Sequence, residues 1–108
     1  YLTYDHFDGT ACTFNHQVHD FKIAVPVLDR KKPSHHYDKI PAFRGVSAIH
    51  IGSPKKERLY RTYMKILTWA REHGYCLENW SVEEWLISPM VTNNKDLWVI
   101  QIIIPIKP

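Results

Sequence analysis

An α+β fold, an antiparallel sheet with one long helix packed on it, is what the sequence predicts. Three observations carry the prediction. Apolar residues in the middle of the chain recur at helical spacing. The segments on either side alternate or run apolar in short stretches bounded by turn residues. Two of the strand-like segments also resemble each other. A chain of 108 residues with 44% apolar content is sized for one domain with a real core, spanning residues 1–108.

The helix is the clearest element. Gly52-Ser53-Pro54 supplies turn, N-cap and first helical residue. Leu59, Tyr63, Ile66, Leu67 and Ala70 then fall on one face of a 3.6-residue period. Gly74 after His73 is the matching stop. The reading therefore spans Ser53 to His73. Tyr60, Met64 and Trp69 lie beside or opposite the stripe, more apolar surface than one core face requires.

Strands are expected at Tyr1 to Asp5, Phe21 to Val27, Phe43 to Ile51, Val82 to Ile87 and Trp98 to Ile104, giving a sheet of about five to six strands. Phe7 to Asp20, with Asp8-Gly9 and Asn15-His16, reads as a polar connection. Leu28 to Pro41 and Pro89 to Asp96 read as loops. Pro26 cannot donate to a ladder and belongs near a strand end or on an edge. Lys22-Ile23-Ala24-Val25-Pro26-Val27 and Gln101-Ile102-Ile103-Ile104-Pro105-Ile106 share a polar start, an apolar run and a penultimate proline. Two hairpins of equal design would form opposite halves of a pseudo-twofold sheet with a cleft at its centre.

Bulk properties exclude several functions. A net charge of +3 is mild, and the cations are dispersed over Arg30 to Lys32, Lys55 to Arg61 and Lys107, so direct nucleic-acid binding is not indicated. The apolar run from Leu97 to Ile106 is broken by Gln101 and Pro105 and is too short to span a bilayer. Cys12 and Cys76 form neither a disulfide framework nor a zinc pattern, which suits a reducing, cytoplasmic setting. His16 and His19, and the adjacent His35 and His36, sit in separate polar segments without companion cysteines or carboxylates. They are expected on the surface, with no metal and no cofactor. His50, just before Gly52, is expected to hydrogen-bond the strand-to-helix turn.

Glu83 and Glu84 are adjacent on a strand, so one of them faces inward. Alternation puts Glu83 with Trp85 and Ile87, and Glu84 with Val82 and Leu86. A carboxylate set among aromatic rings costs several kcal/mol unless it is paired, and a cationic ligand would pair it, with cation–π attraction of about 0.5–2 kcal/mol per ring. On the residues alone, the plainer reading carries more weight: Glu84 is solvated and Glu83 pairs with Arg58 or Arg61, since charged side chains are seldom fully buried. Trp85, Trp98, Tyr60, Tyr63 and Tyr4 are the candidate cage, although regularly spaced aromatics are more often core. Trp69 is assigned to packing and Trp80 to anchoring a loop.

Ile49-His50-Ile51-Gly52-Ser53, the helix with Tyr60 and Leu67-Thr68-Trp69, His73-Gly74-Tyr75, Val82-Glu83-Glu84-Trp85-Leu86 and Ile102-Ile103-Ile104-Pro105-Ile106 together resemble the gyrase-inhibitory-protein-like (GyrI-like) effector-binding domain. That domain stands at the C-terminus of AraC-type and MerR-type bacterial regulators and also occurs alone. The resemblance covers residues 42–107 well and 1–28 more loosely. It implies two pseudo-symmetric strand-helix-hairpin repeats, the first of them cut short here. It also implies a pocket whose ligand-facing acid matches Glu83, which reverses the weighting given above. Where the family commonly has Arg-Glu-Ile-Tyr-Leu, this chain has Val82-Glu83-Glu84-Trp85-Leu86, keeping the acid and replacing Tyr with Trp.

The function implied is non-catalytic binding of a lipophilic organic cation by Glu83, Trp85, Trp98, Tyr60, Tyr63 and Tyr4. DNA enters only through a separate domain, and a homodimer is expected to cover surface left by the short first repeat. The competing function is a hydrolase using Glu83 to activate water. No Ser-His-Asp set or partnered cysteine supports it.

Overall fold

The computed structural model describes residues 2–8, 15–25, 40 and 42–108, with residues 2–8 and 15–22 described by their backbone path. Its elements are β1 (Leu2–Asp8), β2 (Asn15–Ala24), β3 (Gly45–Ile51), α1 (Lys56–Glu72), β4 (Trp80–Ile87), a short 3-10 turn (Lys95–Leu97) and β5 (Val99–Pro105). The strands form a five-stranded sheet in the order β2-β1-β4-β5-β3, with every pairing antiparallel. The fold is α+β.

Helix α1 buries the face that its periodicity marks out. Tyr63, Ile66, Leu67 and Ala70 are buried and Leu59 packs against them. They meet Ile100, Ile102 and Ile104 of β5, the alternate residues of that apolar strand. Ala48 and Val46 of β3 and Trp85 of β4 close the same core.

The helix starts later than Ser53. Lys55 is the N-cap, in extended geometry and without a side-chain cap. The turn is held instead from the strand side: the Gly52 N–H donates to the Trp98 carbonyl over 2.8 Å, with Gly52 at a φ of 103° that favours glycine. His50 Nε2–H donates to the Ser53 carbonyl over 2.9 Å, the turn contact expected of it. At the other end, the Gly74 N–H donates to Arg71 and the Tyr75 N–H to Ala70, a Schellman closure around Gly74 at φ 75°.

Several sequence readings need correction. Residues 15–20 are not a connection but the first part of β2, so His16 and His19 lie on a strand. Polar side chains there gave no apolar alternation, and the pairing with β1 is what makes the strand. Trp80 is the first residue of β4, meeting Phe43 edge to face at 5.4 Å, and is not a loop anchor. Ile87 does not share the face of Glu83 and Trp85. Trp85 pairs with Ile100 but Ile87 with Val99, so an extra residue bulges at Leu86 and reverses the alternation. The expected segment Leu28 to Pro41, with Pro26, Cys12, His35 and His36, lies outside the described residues apart from Ile40.

Candidate functional site

Strand β4 carries the candidate acid into the core. Ser81, Glu83 and Trp85 alternate toward α1, while Glu84 takes the other face. Glu83 is only 4% exposed. Its cross-strand partners are Ile102 on β5 and Thr3 on β1, and Ile102 is wholly buried. A carboxylate is thus held next to aliphatic side chains at the middle of the sheet.

What meets it there is Tyr63. The Tyr63 hydroxyl donates to Glu83 Oε1 over 2.7 Å and lies 2.8 Å from Ser81 Oγ. Both Tyr63 and Ser81 are fully enclosed. So short a hydrogen bond offsets part of the cost of burying the carboxyl group. The sequence pattern gives a strand only from Val82, which leaves Ser81 outside it, whereas β4 begins at Trp80. Extending the strand backward by two residues places Ser81 on the face of Glu83.

The aromatic candidates do not all gather at the acid. Trp85 is half-buried and meets Trp98 edge to face, ring centroids 6.0 Å apart. Trp98 is also half-buried, and its indole N–H donates to the Thr92 carbonyl over 2.9 Å, which fixes the ring against the turn before β5. Tyr60 stands one helical turn before Tyr63 and is 40% exposed. Tyr4 pairs in register with Val82, whereas the residue opposite Glu83 is Thr3; the side chain of Tyr4 is outside the described residues. Tyr63 belongs to the core cluster as well as contacting Glu83.

Two further features bear on chemistry. Among the described residues, no group of three His, Cys, Asp or Glu side chains is arranged to hold a metal ion, and no helix is long and apolar enough to cross a membrane. Cys76 is a free, exposed thiol. A separate groove of about 470 Å³ lies between β3 and the C-terminal half of α1. It shares no lining residue with the expected pocket, and sequence reading gave no hint of it because its walls come from segments distant in the chain.

Comparison with curated proteins returns no match. The family model described as the GyrI-like small molecule binding domain matches residues 8–107, nearly the whole chain and including the β4 strand that buries Glu83. With that match and an α+β architecture in agreement with it, the chain belongs to the GyrI-like small-molecule-binding domains.

Proposed function

We propose that this small-molecule-binding domain takes an amphipathic organic cation, with Glu83 as the counter-charge and Trp85 and Trp98 as the aromatic surface, Tyr60, Tyr63 and Tyr4 completing the set. The observation that carries the reading is the burial of an acid at the centre of the sheet, 4% exposed, on the same strand face as Trp85, a half-buried ring that meets Trp98 edge to face. Buried acids are costly, and a desolvated cation beside one regains the lost solvation as direct attraction. Half-exposed rings next to it add cation–π attraction of roughly 0.5–2 kcal/mol each.

In this reading the domain is the sensing module of a transcription regulator, or an accessory to one, with DNA contacted by a separate domain. A second copy covers the exposed apolar residues Ile49 and Ile51 on the sheet edge. Binding rather than hydrolysis is favoured because Ser81, the serine joined to the acid through the Tyr63 hydroxyl, is enclosed and engaged with that tyrosine, leaving it no approach to a substrate.

The test is a calorimetric titration with tetraphenylphosphonium, a lipophilic cation, and with triphenylphosphine oxide, its neutral counterpart. Glu83→Gln should weaken the cation by about tenfold or more, the scale of a hydrogen-bonded charge, and barely affect the oxide. Glu84→Gln should leave both unchanged. Equal losses in both variants, or equal losses for both ligands, would make Glu83 a structural residue and sink the reading.

A further inference from the structure

The groove between β3 and α1 has a chemistry opposite to that around Glu83. Ile66, Val46, Ala48 and Ile106 give it an apolar lining. Two exposed cations, Arg44 and Lys65, line it as well, and no carboxylate does. Neither cation takes part in an ion pair among the described residues. Lys65 and Trp69 are one turn apart on α1 and so project from the same side of the helix. Arg44 is held in place by its backbone, whose carbonyl accepts from the Ile106 N–H over 2.8 Å.

The aromatic part of the wall is pre-ordered. Trp69 stacks with His73 at 4.0 Å and 15° and with Tyr75 at 5.8 Å and 7°. The Schellman turn at Gly74 folds Tyr75 back onto the helix. His73 is fastened by a 2.8 Å hydrogen bond from its Nδ1–H to the Trp69 carbonyl. Three flat side chains are thereby set nearly parallel, two of them lining the groove, although Trp69 remains 44% exposed. Sequence reading assigned Trp69 to packing. Exposure to that extent in a fixed orientation is more than packing requires.

We infer that this groove is a second binding site, for a small planar aromatic carboxylate. The volume of about 470 Å³ is that of a small-molecule pocket. An organic cation would face two like charges there and no acid. A wholly apolar ligand would bury the two cations without a partner. A nucleic acid would need a broad basic surface, whereas this site offers two positive charges in a confined groove. An aromatic acid meets both demands: its ring lies along Trp69 and Tyr75, and its carboxylate reaches Arg44 and Lys65, where charge-assisted hydrogen bonds form.

The probes are 2-naphthoate and its neutral analogue 2-naphthamide, titrated into the chain by calorimetry and by amide and indole NMR shifts. Naphthoate should bind and move the indole signal of Trp69 and the amides of Ser47 and Ala48 more than the indoles of Trp85 and Trp98. Arg44→Gln and Lys65→Gln should each weaken naphthoate about threefold, and together about tenfold, the range of partly exposed ion pairs, with naphthamide within about twofold. Lys95→Gln, on the distant 3-10 turn, should change neither. Absence of naphthoate binding, equal losses for the amide, a matching loss in Lys95→Gln, or shifts centred on Trp85 and Trp98 would each overturn the inference. Tetraphenylphosphonium titrated into the Arg44→Gln, Lys65→Gln double variant separates the two sites. The cation-site reading can fail with wild-type chain while naphthoate still binds the groove, and the reverse.

Discussion

Tyr63 on the helix donates its hydroxyl proton to Glu83 on the central strand over 2.7 Å, and this one bond orders the hydrogens around it. A phenol has a single proton to give. With that proton directed at Glu83 Oε1, the 2.8 Å contact to Ser81 is a bond donated by the serine. Ser81, Tyr63 and Glu83 therefore form a directed chain, each hydroxyl donating toward the carboxyl group.

Tyr63→Phe removes the middle of that chain while keeping the ring in the core. It deprives both the Ser81 hydroxyl and the Glu83 carboxylate of a partner in a buried place. A destabilisation of about 1–3 kcal/mol is expected, read as a lower urea midpoint with unchanged slope. An unchanged midpoint would mean that water replaces the phenol at no cost.

Glu83→Gln keeps an oxygen able to accept from Tyr63 and removes the buried charge. The apo domain should unfold at the same or a higher temperature, because the desolvation cost of the carboxylate disappears. Glu84→Gln, on the opposite strand face and half-buried, should stay within about 0.5 kcal/mol of wild type. A Tm for Glu83→Gln well below that of Glu84→Gln would show that the charge holds the fold.

Thr62 and Ser53 clamp the imidazole of His50. Since Nε2 faces the Ser53 carbonyl at 2.9 Å, it carries the proton. Nδ1 then accepts from the Thr62 hydroxyl at 2.8 Å, a far better contact for that hydroxyl than the Arg58 carbonyl at 3.5 Å. Thr62→Val is nearly isosteric and leaves Nδ1 without this donor in a buried position. It should cost about 1–3 kcal/mol and speed amide exchange at Gly52 and Ser53. Unaltered exchange would show the turn to be held by the Gly52 to Trp98 bond alone.

Two glycines should respond to alanine for different reasons. At Gly74 an added Cβ meets nothing within 4 Å, so Gly74→Ala suffers only the left-handed backbone, about 1–2 kcal/mol, and Gly74→Asn should recover part of the loss. At Gly45 the Cβ would stand 2.8 Å from Ile103 Cγ2 and 3.0 Å from the Ile104 carbonyl oxygen. Gly45→Ala should therefore disturb the β3–β5 pairing itself, seen as lost exchange protection along Val46 to Ile49. Equal, purely local effects at both positions would contradict this.

The stripe from Leu59 to Ala70, the stop at Gly74 and the apolar run of β5 were legible in the sequence because each depends on residues within a few positions of one another. The separation of Glu83 from Glu84 followed from the same local geometry, as did the placing of Trp85 on the Glu83 face. Family membership was legible too, through the order of motifs from Ile49 to Ile106. Tertiary structure alone decided how deep Glu83 lies, since that depends on Ile102 closing beside it and on Tyr63 reaching it from a helix twenty residues earlier. It also decided the bulge at Leu86 and the strand character of residues 15–20, where pairing partners rather than side-chain pattern set the register. The groove beside Trp69 belongs to this second group: Arg44, Lys65 and Tyr75 are brought together only when α1 lies down on β3, and no local spacing encodes their meeting.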